Sequence, residues 1–299
     1  MTVPASGQRV SGAGSSGYRL PAATRMGVVR LQVRDLARSQ RYYERVLGLS
    51  VLRQDGDVLH LGPEGGAPLV ELHERPDAAP VLRRGRLGLY HYALLLPNRA
   101  ALGRFIRHLA ALGVRAGMSD HLVSEAVYLN DPDGLGIEVY ADRPRATWRY
   151  ESGQLAMDTR PLDVDDVLNI AGSELWAGFP NGTVVGHIHL HVGDLERAEA
   201  FYSTGLGLDK TVWSYPGALF LSAGGYHHHL GLNTWATGAP SAAESDARLL
   251  EWELVVPPGH SRVPLANLAA TGVPLEQTGN GGVVRDPWGT ALRIREEPS

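Results

Sequence analysis

Alternating apolar and polar residues predict β-strands at two similar places in the chain. Residues 28–33 read VVRLQV and residues 187–192 read HIHLHV, the period-two pattern of a strand with one buried face. Each strand is followed by Asp-Leu, which suits a helix start, and then by an amphipathic stretch that carries two adjacent aromatic residues. The stretch ends in Leu-Gly-Leu, where Gly48 or Gly207 is expected to close the helix. The pattern therefore predicts the same strand–helix unit twice.

These two units are copies of one internal repeat. Residues 33–49 superpose on residues 192–208 at a constant offset of 159, and eight of the 17 positions are identical. Asp-Pro-x-Gly, which is typical of a tight turn that feeds the next strand, also occurs twice. The further matches at similar offsets are residues 91–97 (HYALLLP) with 251–257 (EWELVVP), and residues 131–134 (DPDG) with 286–289 (DPWG). The chain thus contains four modules, at about residues 27–73, 89–140, 186–233 and 249–295.

Each module reads as a strand, a helix and then two or three further strands. A unit of about 50 residues cannot bury both faces of its sheet, so the modules are expected to pair. Along the chain we predict a disordered tail over residues 1–24, a first domain of two modules over 25–141, a linker over 142–183 and a second domain of two modules over 184–296. The tail is rich in Gly, Ser, Ala and Pro, whereas the linker is a mixed polar stretch.

Composition narrows the functional classes. The chain of 299 residues is 43% hydrophobic, and its 28 Lys and Arg are outnumbered by 32 Asp and Glu, which argues against a nucleic-acid partner. No apolar run reaches the length of a membrane span or a signal peptide, so we expect a cytoplasmic protein without a membrane partner. Because the chain has no Cys, any metal must be held by His, Asp or Glu, and twelve His are available. No GxGxxG fingerprint or P-loop indicates a nucleotide.

The module motifs resemble those of the vicinal-oxygen-chelate superfamily over about residues 27–295. The motifs are the Asp-Leu, Phe/Tyr-Tyr and Leu-Gly-Leu opening and the DPDG turn that precedes Ile137 and Glu138. Four modules in one chain are similar to the ring-cleaving extradiol dioxygenases of the catechol 2,3 type. The resemblance implies an α+β fold, in which four βαβββ modules pair into two curved open-barrel mixed sheets with helices outside. Glyoxalases, fosfomycin-resistance enzymes and bleomycin-binding proteins share the module.

The resemblance also implies a ligand set of two His and one carboxylate, as non-haem Fe(II) oxygenases use. In that family, one His opens the first strand of one module, and a second His opens the first strand of the module paired with it. The Glu belongs to this paired module and lies four residues beyond the Gly of its Asp-Pro turn. The opening positions of the four modules are Val28, His91, His187 and Glu251, and the closing positions are Glu138 and Arg293. Only the second and third modules together supply a full set, namely His91, Glu138 and His187. We therefore expect the second module to pair with the third and the first with the fourth, within one chain or across a dimer.

The resemblance assigns further roles around this set. His228, in the run YHHHL, matches the acid/base of the family, and His121 and Tyr128 match residues that hydrogen-bond the substrate oxygens. Four further histidines lie near these residues. His189 and His191 are expected next to the metal ligands, whereas His227 and His229 are expected to face away from His228 by strand alternation. Each role has a competing structural interpretation. Tyr128 could be an aromatic residue of the core, and the alternating histidines could form a polar surface of the sheet. Glu251 could form an ion pair with Arg293 instead of contributing to a second metal site.

The function that follows is an Fe(II)-dependent extradiol dioxygenase, with Mn(II) as the alternative metal, which opens a catecholic ring with O2. Its partners are then a small aromatic diol and O2, and a homo-oligomer is left open. Two alternatives are a glyoxalase-like metalloenzyme and a non-catalytic protein that sequesters an aromatic drug. The last of these predicts no bound metal.

Overall fold

A computed structural model describes residues 17–82 and 84–298 of the chain. Its strands are β1 Arg25–Val33, β2 Ser50–Asp55, β3 Val58–Gly62, β4 Val70–Glu74, β5 Gly88–Leu95, β6 Gly117–Asp120, β7 Ser124–Asn130, β8 Gly136–Asp142, β9 Tyr150–Glu151, β10 Gln154–Leu155, β11 Val184–His191, β12 Asp209–Val212, β13 Ala218–Ser222, β14 Leu230–Asn233, β15 Arg248–Val256, β16 Leu275–Thr278, β17 Gly281–Arg285 and β18 Ala291–Glu296. Its α-helices are α1 Leu36–Tyr42, α2 Arg99–Ala111, α3 Val164–Ile170, α4 Leu195–Glu199 and α5 Arg262–Ala270. No helix in the described part of the chain is long and apolar enough to cross a membrane.

The four predicted modules are present, and they pair across the two halves of the chain. Each consists of a strand, a helix and three further strands. One eight-stranded sheet has the order β16-β17-β18-β15-β1-β4-β3-β2 and joins the first and fourth modules. The other has the order β12-β13-β14-β11-β5-β8-β7-β6 and joins the second and third. The expected α+β fold of paired modules is confirmed, whereas the division of the chain into domains at 25–141 and 184–296 stays a prediction.

Local sequence signals explain the helix at the start of each repeated module. The side chain of Asp35 accepts a hydrogen bond from the backbone of Arg38, and Asp194 does the same for Arg197, so both residues are N-caps. Single π-helical turns, Tyr43–Leu47 and Ala200–Gly205, continue α1 and α4, and they bury Tyr43 in the first copy and both Phe201 and Tyr202 in the second. Gly48 and Gly207 then adopt positive φ angles of 86° and 97°, which a residue with a side chain rarely does.

The alternating pattern of β11 separates an apolar face from a polar one. Ile188, Leu190 and Val192 belong to the hydrophobic core, together with apolar residues of α2 and α5. The intervening His187, His189 and His191 point away from that core, although each is at most 4% exposed. Strand alternation thus sends the histidines into the interior of the curved sheet, instead of to a solvated surface.

The sheet of the first and fourth modules fills the same interior positions with ion pairs. Arg293 donates to Glu251 from Nε at 2.6 Å and from Nη2 at 3.0 Å, and Arg30 donates to Glu251 from Nη1 at 2.7 Å and to Glu71 from Nε at 2.8 Å. The predicted ion pair between Glu251 and Arg293 is confirmed. Two cationic side chains occupy the space around the one carboxylate, so this sheet offers no position for a metal cation beside Glu251.

Two connecting segments differ from their sequence-based description. In the tail predicted over 1–24, residues 17–24 pack on the protein: Leu20 is 4% exposed and its backbone bonds to Gly207, so a solvated tail is wrong for this part. Residues 1–16 lie outside the described residues. The predicted linker carries β9, β10 and α3, and α3 packs so closely on α2 that a side chain at Gly103 would collide with the carbonyl of Val167.

Loss of the Glu251 charge should lower the stability of the fold. Glu251→Gln leaves Arg30 and Arg293, which are partly buried, without their shared carboxylate. We expect the free energy of unfolding to fall by about 1–3 kcal/mol in chemical denaturation. The matched control is Glu297→Gln, which removes an exposed ion pair with Arg25 and should change the free energy by less than about 0.5 kcal/mol. Equal effects of the two substitutions would show that the partly buried network stabilises the fold no more than an exposed ion pair does.

Candidate metal centre and adjoining cavity

Three buried ligand side chains converge in the sheet of the second and third modules. His91 lies on β5, Glu138 on β8 and His187 on β11, and a ligand atom of each lies within 4.8 Å of the others. Oε2 of Glu138 is 2.9 Å from Nε2 of His91 and 3.1 Å from Nε2 of His187. All three belong to one chain, so the arrangement does not need a second subunit.

A small residue makes this convergence possible. Strand β5 lies between β8 and β11, and Ala93 on β5 is the register partner of both Glu138 and His187. His91 stands two residues earlier on the same strand and therefore on the same face. The methyl group of Ala93 leaves room above the strand, and the three ligands surround that space from three adjacent strands. A glycine is needed beside them, because a side chain at Gly186 would collide with the hydroxyl of Tyr140.

The polar atoms of this set fit a bound cation. Within the described residues, Nε2 of His91 is buried and makes no well-formed hydrogen bond, although it lies 2.9 Å from Oε2 of Glu138. A buried nitrogen in this position is costly unless it finds a partner, and a metal ion between the imidazole and the carboxylate is one way to supply that partner. The set of two imidazoles and one carboxylate could thus hold a metal.

The charge states suit the same purpose. Burial lowers the pKa of His91 and of His187, and the attraction of Glu138 only partly opposes this effect. Burial by itself would raise the pKa of Glu138, but the adjacent His187 and His91 outweigh it and hold that pKa well below its usual range. Neutral imidazoles beside an ionised carboxylate are the protonation states that metal binding requires.

A cavity of about 300 Å³ opens beside His91 and Glu138. Its walls carry five large aromatic side chains and a segment of the predicted linker. The aromatic residues are Tyr90, Tyr128, Tyr215, Phe220 and Trp235, and the linker residues are Met157, Asp158 and Thr159. The cavity therefore offers flat apolar surfaces directly next to the polar ligand set, which suits an aromatic ring that carries oxygen substituents.

The sequence-predicted residues His228, His121 and Tyr128 all line this cavity. His228 is 5% exposed, its ring lies 4.1 Å from that of His187, and its Nε2 has no hydrogen-bond partner among the described residues. Nδ1 of His121 lies 2.9 Å from the carbonyl oxygen of Asp158 and therefore donates, so Nε2 accepts from the hydroxyl of Tyr128 at 2.6 Å. Burial, followed by the charge of Glu138, raises the pKa of Tyr128 well above its usual range, so the hydroxyl keeps its proton.

One neighbour of His228 does not lie where strand alternation placed it. Residues 226–229 form an irregular segment before β14, because the strand begins only at Leu230. The expectation that His227 faces away from His228 is wrong: the Nδ1 atoms of the two residues are 2.7 Å apart. His229 stabilises the turn instead, since its Nδ1 accepts from the backbone of Ala223 and contacts the hydroxyl of Ser222.

The histidines of β11 beyond His187 have different surroundings. His189 lines the cavity, and its Nε2 is buried without a hydrogen-bond partner in the described chain. Its ring occupies the space opposite Gly231, where a Cβ would come within 2.8 Å. His191 is not among the residues that line the cavity, and its Nδ1 is 2.6 Å from the side-chain oxygen of Asn233.

Sequence reasoning missed most of the cavity wall. Tyr90 precedes the ligand His91 and Phe220 lies in β13, so a search of the predicted strands for aromatic residues could have found both. The linker residues carry no such signal. They reach the cavity because the backbone of Arg160 pairs with that of Asp120, which holds Asp158 and Thr159 over His121.

Comparison with known proteins agrees with this architecture. Residues 25–139 match the model of the "Glyoxalase/Bleomycin resistance protein/Dioxygenase superfamily". The chain is 44% identical over 269 residues to the "Catechol-2,3-dioxygenase" of Bacillus subtilis (strain 168), which covers 88% of this chain and 94% of that protein. The chain belongs to the glyoxalase/bleomycin resistance protein/dioxygenase superfamily.

Solved structures share the fold of this chain at low sequence identity. A presumed dioxygenase from Bacillus subtilis has a TM-score of 0.63 at 16% identity, over 94% of this chain and 87% of that one. Glyoxalase I from Zea mays has a TM-score of 0.55 at 17% identity, over 92% of both chains. At such identities the likeness concerns the fold alone.

Metal binding should depend on the three converging residues and not on their counterparts in the other sheet. We expect His91→Ala, Glu138→Ala and His187→Ala each to abolish stoichiometric metal, measured by mass spectrometry of anaerobically loaded protein. Each variant leaves only two ligands, which is too few for a stable site. Glu251→Ala and Arg293→Ala are the matched controls, since they change the corresponding positions of the first and fourth modules, and they should retain the metal. Metal loss in the controls but not in His91→Ala would place the site in the other sheet.

Proposed function

We propose that the protein is an extradiol dioxygenase that opens a catecholic ring next to its vicinal hydroxyls with O2. The observation that carries the proposal is the set of His91, Glu138 and His187, which lies beside an aromatic-walled cavity. Two imidazoles and one carboxylate on one face are typical of non-haem Fe(II) oxygenases, so Fe(II) is the proposed metal and Mn(II) the alternative. The name of the Bacillus subtilis relative supports the same class of reaction.

His91, Glu138 and His187 would hold the metal through their ligand atoms. When bound, the metal supplies a Lewis-acid centre at which the catecholate and O2 come together. The protein supplies the orientation. Phe220 and Trp235 confine the ring, and His189, in contact with both, extends that wall toward His91.

His228, His121 and Tyr128 would handle the protons and oxygens of the substrate. Nε2 of His228 has no partner among the described residues and belongs to a cavity-lining side chain, so it can take a proton from a bound hydroxyl. The hydroxyl of Tyr128 donates to His121, which leaves its oxygen lone pairs available to a hydroxyl of the substrate. The backbone of Asp158 holds His121 for this contact.

The experiment that tests the function is ring cleavage by anaerobically purified protein. Loading with Fe(II), followed by catechol and O2, should give a coloured ring-cleaved product, with O2 consumed in equal amount. Protein that binds metal stoichiometrically but cleaves no catechol would contradict the proposal and favour a glyoxalase-like metalloenzyme. Protein that binds an aromatic ligand but no metal would favour a binding protein.

Removal of His228 should separate turnover from metal binding. We expect His228→Gln to retain the metal and to lower kcat roughly 10²–10⁴-fold, the range for loss of a positioned acid/base. The matched control is His229→Gln, because the ring of His229 bonds within the turn, and it should keep kcat near that of the wild type. Metal loss in His228→Gln would show that His228 supports the ligands instead of the chemistry.

The cavity also predicts the charge of the substrate. Among the described residues that line it there is no Lys or Arg, whereas Glu138 and Asp158 are acidic. A carboxylate on the ring would be buried without a cationic partner, which is costly. Catechol and methylcatechol should therefore show a higher kcat/KM than a carboxylated catechol, by roughly 10-fold or more. Equal kcat/KM values in steady-state O2 uptake would contradict this interpretation of the cavity.

A further inference from the structure

Two adjacent histidines connect a carboxylate at the end of β8 with the cavity. Nε2 of His227 lies 2.9 Å from Oδ1 of Asp142, and its Nδ1 lies 2.7 Å from Nδ1 of His228. His227 is fully buried. At the far end of this series, Nε2 of His228 is buried and has no hydrogen-bond partner among the described residues. The three side chains form one continuous path from Asp142 to the cavity.

The chemistry of the groups determines the direction of each hydrogen bond. An ionised carboxylate can only accept, so Nε2 of His227 must carry the hydrogen that it donates to Asp142. A neutral imidazole has one N–H, and therefore Nδ1 of His227 is an acceptor. It accepts from Nδ1 of His228, which uses the single hydrogen of that ring. Nε2 of His228 is consequently a bare acceptor.

The carboxylate of Asp142 determines which ring nitrogens of His227 and His228 carry a hydrogen. An amide in place of Asp142 could donate to Nε2 of His227. The hydrogen of His227 would then lie on Nδ1, would be donated to Nδ1 of His228, and would leave Nε2 of His228 protonated. The hydroxyl of Tyr226 also donates to Oδ1 of Asp142, at 3.2 Å, and so favours an acceptor at this position.

We propose that Asp142 and His227 are positioning residues that hold His228 in its Nδ1–H tautomer, and so present a bare Nε2 to a hydroxyl of the bound catechol. The role rests on the proposed function. In this step the O–H bond of the substrate breaks and an N–H bond forms at Nε2 of His228. The electron pair of the broken bond stays on the substrate oxygen, and the positive charge of the imidazolium faces His227 and the carboxylate of Asp142. No further reactant is required.

The tautomer can be measured without turnover. Long-range ¹H–¹⁵N spectra of protein labelled at histidine, recorded on the full chain without metal and loaded with diamagnetic Zn(II), distinguish a bare ring nitrogen from a protonated one. His228→Gln assigns the resonances. In the wild type we expect a bare Nε2 on His228, and in Asp142→Asn a protonated one. Tyr226→Phe is the matched control, since it removes the other bond to the same carboxylate and should leave the tautomer unchanged.

Kinetics of the same variants test the consequence. Asp142→Asn should bind the metal as the wild type does and keep a similar KM, but lower kcat by roughly 10²-fold, the smaller end of the range for acid/base catalysis. A protonated Nε2 on His228 in the wild type overturns the proposal, and this result does not depend on whether Asp142→Asn folds. Metal loss in Asp142→Asn, or an unchanged tautomer with unchanged kcat, also overturns it. If the wild type shows the bare Nε2 but cleaves no ring, the proposed function fails while the hydrogen-bond path stands.

Discussion

The antiparallel pairing of β5 with β11 is the contact on which the candidate site depends. It joins two modules that lie in different halves of the chain, and it places Ala93 between Glu138 and His187. Neither half could form the ligand set alone, because His91 and Glu138 come from the second module and His187 from the third. The backbone hydrogen bonds of one strand pair thus create the candidate metal centre as well as a continuous sheet.

The two sheets show how one backbone arrangement supports two kinds of interior. Glu251 in the fourth module corresponds to His91 in the second, and Arg293 corresponds to Glu138. In one sheet, carboxylates and guanidinium groups satisfy one another, so the interior is held by ion pairs. In the other, two imidazoles face the carboxylate of Glu138, and this set could hold a metal ion.

The cavity adds selectivity to this polar centre. Its aromatic walls come from strands and loops of both modules, and another part of its wall comes from the segment between the two halves of the chain. That segment is anchored by strand-like backbone pairing at Asp120 and by packing of α3 on α2. The segment between the two halves therefore both packs on the sheet and lines the cavity, and its mixed polar composition predicts neither. Because its residues contact His121, a change there can alter the cavity without touching His91, Glu138 or His187.

The sequence by itself determined the modules, the helix caps at Asp35 and Asp194, and the positive-φ glycines, because these depend on local chemistry that the repeat shows twice. It also led to the pairing of the second module with the third, since only that pair completes the ligand set. Tertiary structure alone decided that one chain suffices, that His227 turns toward His228, and that the linker covers the cavity. These features depend on where irregular segments run and which way their side chains point, and period-two alternation carries no information once the strand has ended.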